Sequence, residues 1–171
     1  GKFVPVVSGS KLAPNGQEYV SYGVISLVHE ELRGLDDELF RIFDVTDSCL
    51  ILVLAMLRIE RKGIKLSRIR SAYNKSLVSI LYPGLPLSAN KISAFLERLG
   101  QDITKQQAFF HARLEAVCEN DHIIIDGTLK QNTSRVNDLS EFSRKARVKG
   151  CQDISVLYAY NLEKREPLCA Q

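Results

Sequence analysis

Ile123-Ile124-Ile125-Asp126-Gly127-Thr128 is the stretch on which the reading of this chain turns. Three β-branched residues in a row favour a strand, and an unbroken apolar run predicts one buried on both faces. An Asp at the end of such a strand is costly to bury unless it holds a cation or a hydrogen-bond network. Gly127 lets the backbone turn away tightly, which leaves the carboxylate exposed at the sheet surface. Two-metal phosphoryl chemistry needs such an arrangement, because hard oxygen ligands on a rigid strand must hold two divalent ions about 4 Å apart. Asp-Gly is also a common turn pair, and in that reading Asp126 starts a turn or caps a helix.

Downstream, residues 130–149 are polar. Ile154, Val156, Tyr158 and Tyr160 then alternate with Ser155, Leu157, Ala159 and Asn161, which predicts a second strand. Glu163-Lys164-Arg165-Glu166 reads as a charged turn, and Pro167-Leu168-Cys169 as the beginning of a returning strand. That strand has barely started at Gln171, so the sheet is expected to be an incomplete domain. The chain also opens on Gly1 rather than Met, as an excised piece of a longer protein would.

Upstream, from about Ser21 to Cys118, the apolar spacing is helical. Val24, Leu27, Val28 and Leu32 predict a first helix stopped at Gly34, and Leu35, Leu39, Phe40 and Phe43 the apolar side of a second. The third is capped by Thr46 or Asp47, filled by the apolar run 49–57 and loaded with Arg58, Arg61 and Lys62 before Gly63. It is apolar nearly all round, so it is predicted to be the buried central helix. A fourth helix is expected over 67–81, ending at Pro83-Gly84. A fifth opens at Ser88 with Ile92, Phe95, Leu96 and Leu99, and a sixth covers 104–118 with Phe109, Phe110, Leu114 and Val117. Phe3, Val4, Val6 and Val7 suggest an extended arm before them. The predicted class is α+β, arranged as an extended arm at 1–20, a helical domain at 21–118 and the start of a sheet domain at 119–171.

Composition limits the functions available. The chain has 171 residues, 45% hydrophobic and 25% charged, which is globular and argues against disorder. The net charge of +3 does not by itself predict nucleic-acid binding. The apolar run 49–57 is far short of the roughly 20 residues that a membrane span needs, and no signal peptide is visible, so a cytoplasmic protein with no membrane partner is expected. Cys49, Cys118, Cys151 and Cys169 stand far apart with no Cys-x-x-Cys pair. Buried reduced thiols are therefore expected rather than a zinc site with His29, His111 and His122. His111 and Glu115 stand one helical turn apart, as two metal ligands do, but without a second pair they read as a helix-surface contact.

Two basic stretches offer phosphate contacts. Arg58, Arg61, Lys62, Lys65, Arg68, Arg70 and Lys75 stand against a single acid, Glu60; Arg144, Lys145, Arg147 and Lys149 stand against none. Clustered cations attract phosphate and release counterions, although a solvated helix face and a loose loop account equally well for the two stretches. The fourth and fifth helices, joined through Pro83 and Pro86, suggest a helix-turn-helix in which Asn90, Lys91 and Ser93 face outward near the start of the recognition helix. Their connection is longer than the usual 3–4 residues.

From Tyr22-Gly23 to Pro167 the chain resembles bacterial insertion-sequence transposases of the DDE class. The resemblance lies in Asp126-Gly127-Thr128 after its apolar strand, then Asn137-Asp138-Leu139-Ser140-Glu141-Phe142-Ser143, then a basic stretch leading to the strand at 154–160. Gly34-Leu35-Asp36 and the Ser88-Ala89-Asn90-Lys91-Ile92 helix also take part. The match departs after Phe142, where many relatives have Gly-x-Ser-Lys and this chain has Ser143-Arg144-Lys145. The resemblance implies an RNase H-like catalytic domain of which these are the first strands. It gives Asp126 the role of first acid of an Asp-Asp-Glu triad that bridges two Mg²⁺ or Mn²⁺ ions, with double-stranded DNA at transposon ends as partner. It further implies a parent that cleaves and transfers DNA strands as a homodimer at the bacterial nucleoid, and a fragment inactive alone. Asp138, Glu141 and Asp153 do not fall where the remaining acids belong and are expected at the surface or in turns. The competing expectations are a non-enzymatic DNA-binding protein (a truncated transposase acting as repressor, or a helix-turn-helix regulator) and a helical protein-interaction domain.

Overall fold

The computed structural model describes residues 20–131, 141–142 and 152–170. The arm at 1–19 and the basic residues Arg144, Lys145, Arg147 and Lys149 lie outside them, as does most of the stretch 137–143. The described residues form seven helices and one four-stranded antiparallel sheet, an α+β arrangement. The contacts divide the chain into two units, residues 1–103 and 104–171.

In the first unit, α1 (Gly23–Glu31) and α2 (Leu35–Ile42) precede α3 (Val45–Glu60). As expected, α3 is the centre: Leu50, Leu52, Val53, Met56 and Leu57 are buried, and α1, α2, α4 (Leu66–Tyr73) and α5 (Val78–Leu81) all pack on it. Its cap is neither Thr46 nor Asp47. Asp44 accepts the backbone N–H of Asp47 at 2.9 Å. Asp47 is left free to turn inward, where both its oxygens accept from the Arg98 guanidinium at 2.6 and 2.7 Å. That bidentate pair ties α3 to α6 (Ala89–Gln101).

Two other helices differ from expectation. In α1 the buried residue is Ile25, while Val24 and Leu27 are exposed. The inward stripe is therefore Ile25, Val28, His29 and Leu32, one residue round from the expected face, with the His29 ring edge-on to Tyr82. The single helix expected over 67–81 is two helices, α4 and α5. Between them the chain is drawn into a bridge with Ser21: Ser21 N–H donates to Lys75 O, and Leu77 N–H to Ser21 O, both at 2.8 Å. Those groups are then spent on a neighbour instead of on continuing a helix.

In the second unit, α7 (Ile103–Glu115) leads to the strands β1 (Ile123–Gln131), β2 (Glu141–Phe142), β3 (Gln152–Asn161) and β4 (Glu166–Ala170). β3 is central: it pairs with β1 along one edge and with β2 and β4 at opposite ends of the other. The β3–β4 turn is held by polar groups. Buried Asn161 donates to Asp121 at 2.7 Å and accepts from Lys164 N–H at 3.0 Å. Glu163 accepts the His122 backbone N–H at 2.6 Å, and Arg113 of α7 reaches Glu166 at 2.6 Å. Lys164 Nζ donates to the Ala116 carbonyl.

The decisive stretch behaves differently from its sequence reading in two respects. The strand does not end at Asp126. It runs on through Gly127, which pairs with Leu157, to Gln131, paired with Asp153. Gly127 lacks the positive φ of a turn, and a Cβ there would meet only the end of the Leu157 side chain, at 3.4 Å. Nor is the isoleucine run buried on both faces. Ile123, Ile124 and Ile125 are 41%, 46% and 73% exposed. β1 is an edge strand paired only with β3 among the described residues, so its side chains gain cover from one neighbouring strand instead of two.

Candidate nucleic-acid interface

The first candidate lies where α3 gives way to α4. Gly63, with φ +74°, lets the chain reverse after the basic last turn of α3, and α4 then starts at Leu66. The reversal folds the cationic residues of both segments around one concavity of about 670 Å³, lined by Arg61, Lys62, Lys65 and Arg68 with Ser71 among the remaining residues. All four cations are exposed, and none is in an ion pair among the described residues. Like charges are normally spread apart or matched with acids; gathering four unmatched ones creates a positive potential whose natural complement is a polyanion. Glu60, the one acid of this stretch of sequence, does not line the pocket.

The structure thus selects within the predicted basic stretch. Arg58, in the last turn of α3, and Arg70, in the last turn of α4, are exposed but do not line the concavity. Asn90, Lys91 and Ser93 are exposed in the first part of α6, whose cap is Ser88 accepting Lys91 N–H at 3.4 Å. The expected helix-turn-helix pairing is loosened by α5 and a long connection between α4 and α6, although those two helices do pack together. Ser71 was not anticipated. Its signal was present in sequence: Lys65, Arg68 and Ser71 recur at every third residue, so they share one side of α4.

The second candidate is Asp126. Antiparallel pairing opposite Tyr158 puts the two side chains on one face of the sheet, with Ile124 and Thr128 of β1 and Val156 and Tyr160 of β3. The carboxylate is exposed. Asp153, Glu141 and Glu166 lie at the alternate positions and so belong to the opposite face. Asp126 is therefore the single acid on its face among the described strand residues. Asp153 corrects an expectation: it is neither in a turn nor at the surface, but 5% exposed near the start of β3, and its Oδ2 is buried without a hydrogen-bond partner among the described residues.

Among the described residues no group of three or more His, Cys, Asp or Glu could hold a metal ion. The residues present do not fit a two-ion centre, since one carboxylate with apolar and hydroxyl neighbours supplies one ligand group of the several that hard divalent cations require. The His111–Glu115 pair is an exposed contact at 3.3 Å, as expected. Of the thiols, Cys151 lies outside the described residues and Cys49 and Cys169 are half-buried; Cys118, expected to be buried, is exposed, because it sits in the loop after α7 beside the Lys164 ammonium at 3.7 Å. No helix among the described residues is long and apolar enough to cross a membrane.

No protein-family model, curated protein or solved structure matches the chain.

Proposed function

We propose that this chain is the DNA-binding and first catalytic portion of a transposase of the DDE class, its sheet being the opening of an RNase H-like domain. The observation that carries the reading is the placement of Asp126: a solvent-exposed carboxylate on the first strand of the antiparallel set β1–β3–β4, the single acid on its face among the described strand residues. A strand-borne acid that is exposed to solvent supports the role that the resemblance gives to Asp126. In this reading the parent protein carries out metal-dependent cleavage and transfer of DNA strands at transposon ends, using Mg²⁺ or Mn²⁺, as a homodimer at the bacterial nucleoid. This chain contributes one acid of the three and is inactive by itself. The helical unit supplies affinity for the duplex.

A second reading is favoured by the cationic pocket, which needs no acid and no ion: a non-enzymatic DNA-binding protein, either a repressor derived from a transposase or a regulator presenting α6 to DNA. Both readings require binding to duplex DNA. The test is fluorescence anisotropy with a labelled duplex at rising salt. The expected result is binding that weakens steeply with salt and is unchanged by Asp126→Asn, a substitution that removes charge and little volume. Absence of binding, or salt-insensitive binding, removes both readings in favour of a protein-interaction role. In the parent enzyme Asp126→Asn abolishes strand cleavage; retained cleavage takes Asp126 out of the catalytic role and leaves the second reading.

A further inference from the structure

The lining of the α3–α4 pocket is chemically one-sided. Arg61, Lys62, Lys65 and Arg68 present donors and no acceptors; Ser71 adds a hydroxyl; Ile64 and Ala72 complete the wall. Among the described residues no carboxylate, carboxamide or aromatic ring lines it. Reading an adenine or a cytosine edge takes an acceptor from Asn, Gln or a carboxylate, guanine alone being readable by the donors of an Arg, and holding an unstacked base takes an aromatic platform. Neither amide nor platform is present. What the pocket offers is positive charge around a recess large enough for more than one tetrahedral oxyanion. The start of α4 lies in the same wall: Lys65 provides no side-chain cap, so the partial positive charge of the first turn adds to that of the side chains.

We infer that this pocket seats the phosphates of a duplex DNA backbone and contributes affinity and position without sequence readout. The inference rests on the DNA-binding reading above and names the residues and the part of DNA involved. Phosphate contacts fix how a protein lies on a duplex, and sequence preference must come from elsewhere in the chain. Free inorganic phosphates share the chemistry, so the experiment separates the two sources.

The full chain is titrated with two labelled duplexes of unrelated sequence over a range of salt, and separately with inorganic pyrophosphate. Arg61→Gln, Lys65→Gln and Arg68→Gln are compared with wild type, and Arg41→Gln, on α2, serves as a control that removes the same charge elsewhere. Unchanged helical circular dichroism establishes that each variant is folded. Each pocket variant is expected to weaken both duplexes equally, by about 8-fold at 0.1 M salt, and to lower the salt slope by about one, whereas Arg41→Gln binds as wild type. If the wild type binds DNA and the pocket variants bind equally well, the inference fails and the DNA-binding reading survives. If pocket variants alter one duplex and spare the other, the pocket reads sequence and the inference is overturned. If wild type binds pyrophosphate through these residues but no duplex, the occupant is a free phosphate, and both the inference and the DNA-binding reading fall.

Discussion

Asp121 shows how single groups hold the second unit together. Its carboxylate accepts the Cys118 backbone N–H at 2.9 Å and the Asn161 side chain at 2.7 Å, with the Lys164 ammonium at 3.7 Å. The Cys118 backbone hydrogen bond, then that from Asn161, holds its carboxyl below the ordinary value of 3.8. Glu163 is likewise lowered, chiefly by the hydrogen bond from the His122 side chain, which forms at 2.6 Å. A carboxyl whose folded value lies below its unfolded value contributes stability that is fully present above the unfolded value and disappears as pH falls through the folded one. Denaturant unfolding of wild type and Asp121→Asn at successive pH values should show the variant less stable at pH 6 and the two converging as pH falls below 3.8 and through the lower folded value. A gap that stays constant into strong acid would mean that the Asp121 charge contributes nothing. This network was not legible in sequence, because Asp121 and Asn161 lie 40 residues apart and only antiparallel pairing of β1 with β3 brings them together. The cap of α3 was misplaced for a related reason: Asp44, Thr46 and Asp47 are all competent caps by residue type, and the choice is settled by Arg98, which claims Asp47 from 51 residues away.

Elements were legible where their pattern is self-sufficient. The apolar run of α3 could be accommodated only by burial, and its position at the centre of the helical unit follows. The alternation of 154–161 marked β3 correctly. What failed was inference from composition to environment. A run of isoleucines specifies a strand, but whether that strand is central or at an edge depends on which other strands pair with it, and local sequence holds no record of that. The contrast between α3 and β1 can be measured. Met56, 0% exposed within α3, is expected to cost about 2–5 kcal/mol on replacement by Ala. Ile125, 73% exposed on β1, is expected to tolerate Lys within about 0.5 kcal/mol. Both are read from denaturant midpoints. A large loss for Ile125→Lys would restore the picture of a strand buried on both faces.

For the whole molecule, the two units divide the account between them. Residues 1–103 carry the cationic pocket, and residues 104–171 carry Asp126. Sequence located both, because a charge run and an acid after an apolar run are local signals. It could not say which cations converge, since that depends on the reversal at Gly63, nor that Asp126 and Asp153 occupy opposite faces, since that depends on register. Charge argues in the same direction. With a net +3 over 171 residues, the chain has no global attraction to nucleic acid of note, so any strong binding must come from local concentration of cations. The most direct test of DNA binding by the helical unit is nuclear magnetic resonance titration of the isotope-labelled chain with a short duplex. The account predicts that backbone amide shifts concentrate at residues 61–71 and revert when salt is raised. Shifts confined to residues 104–170, or none at all at low salt, would contradict it.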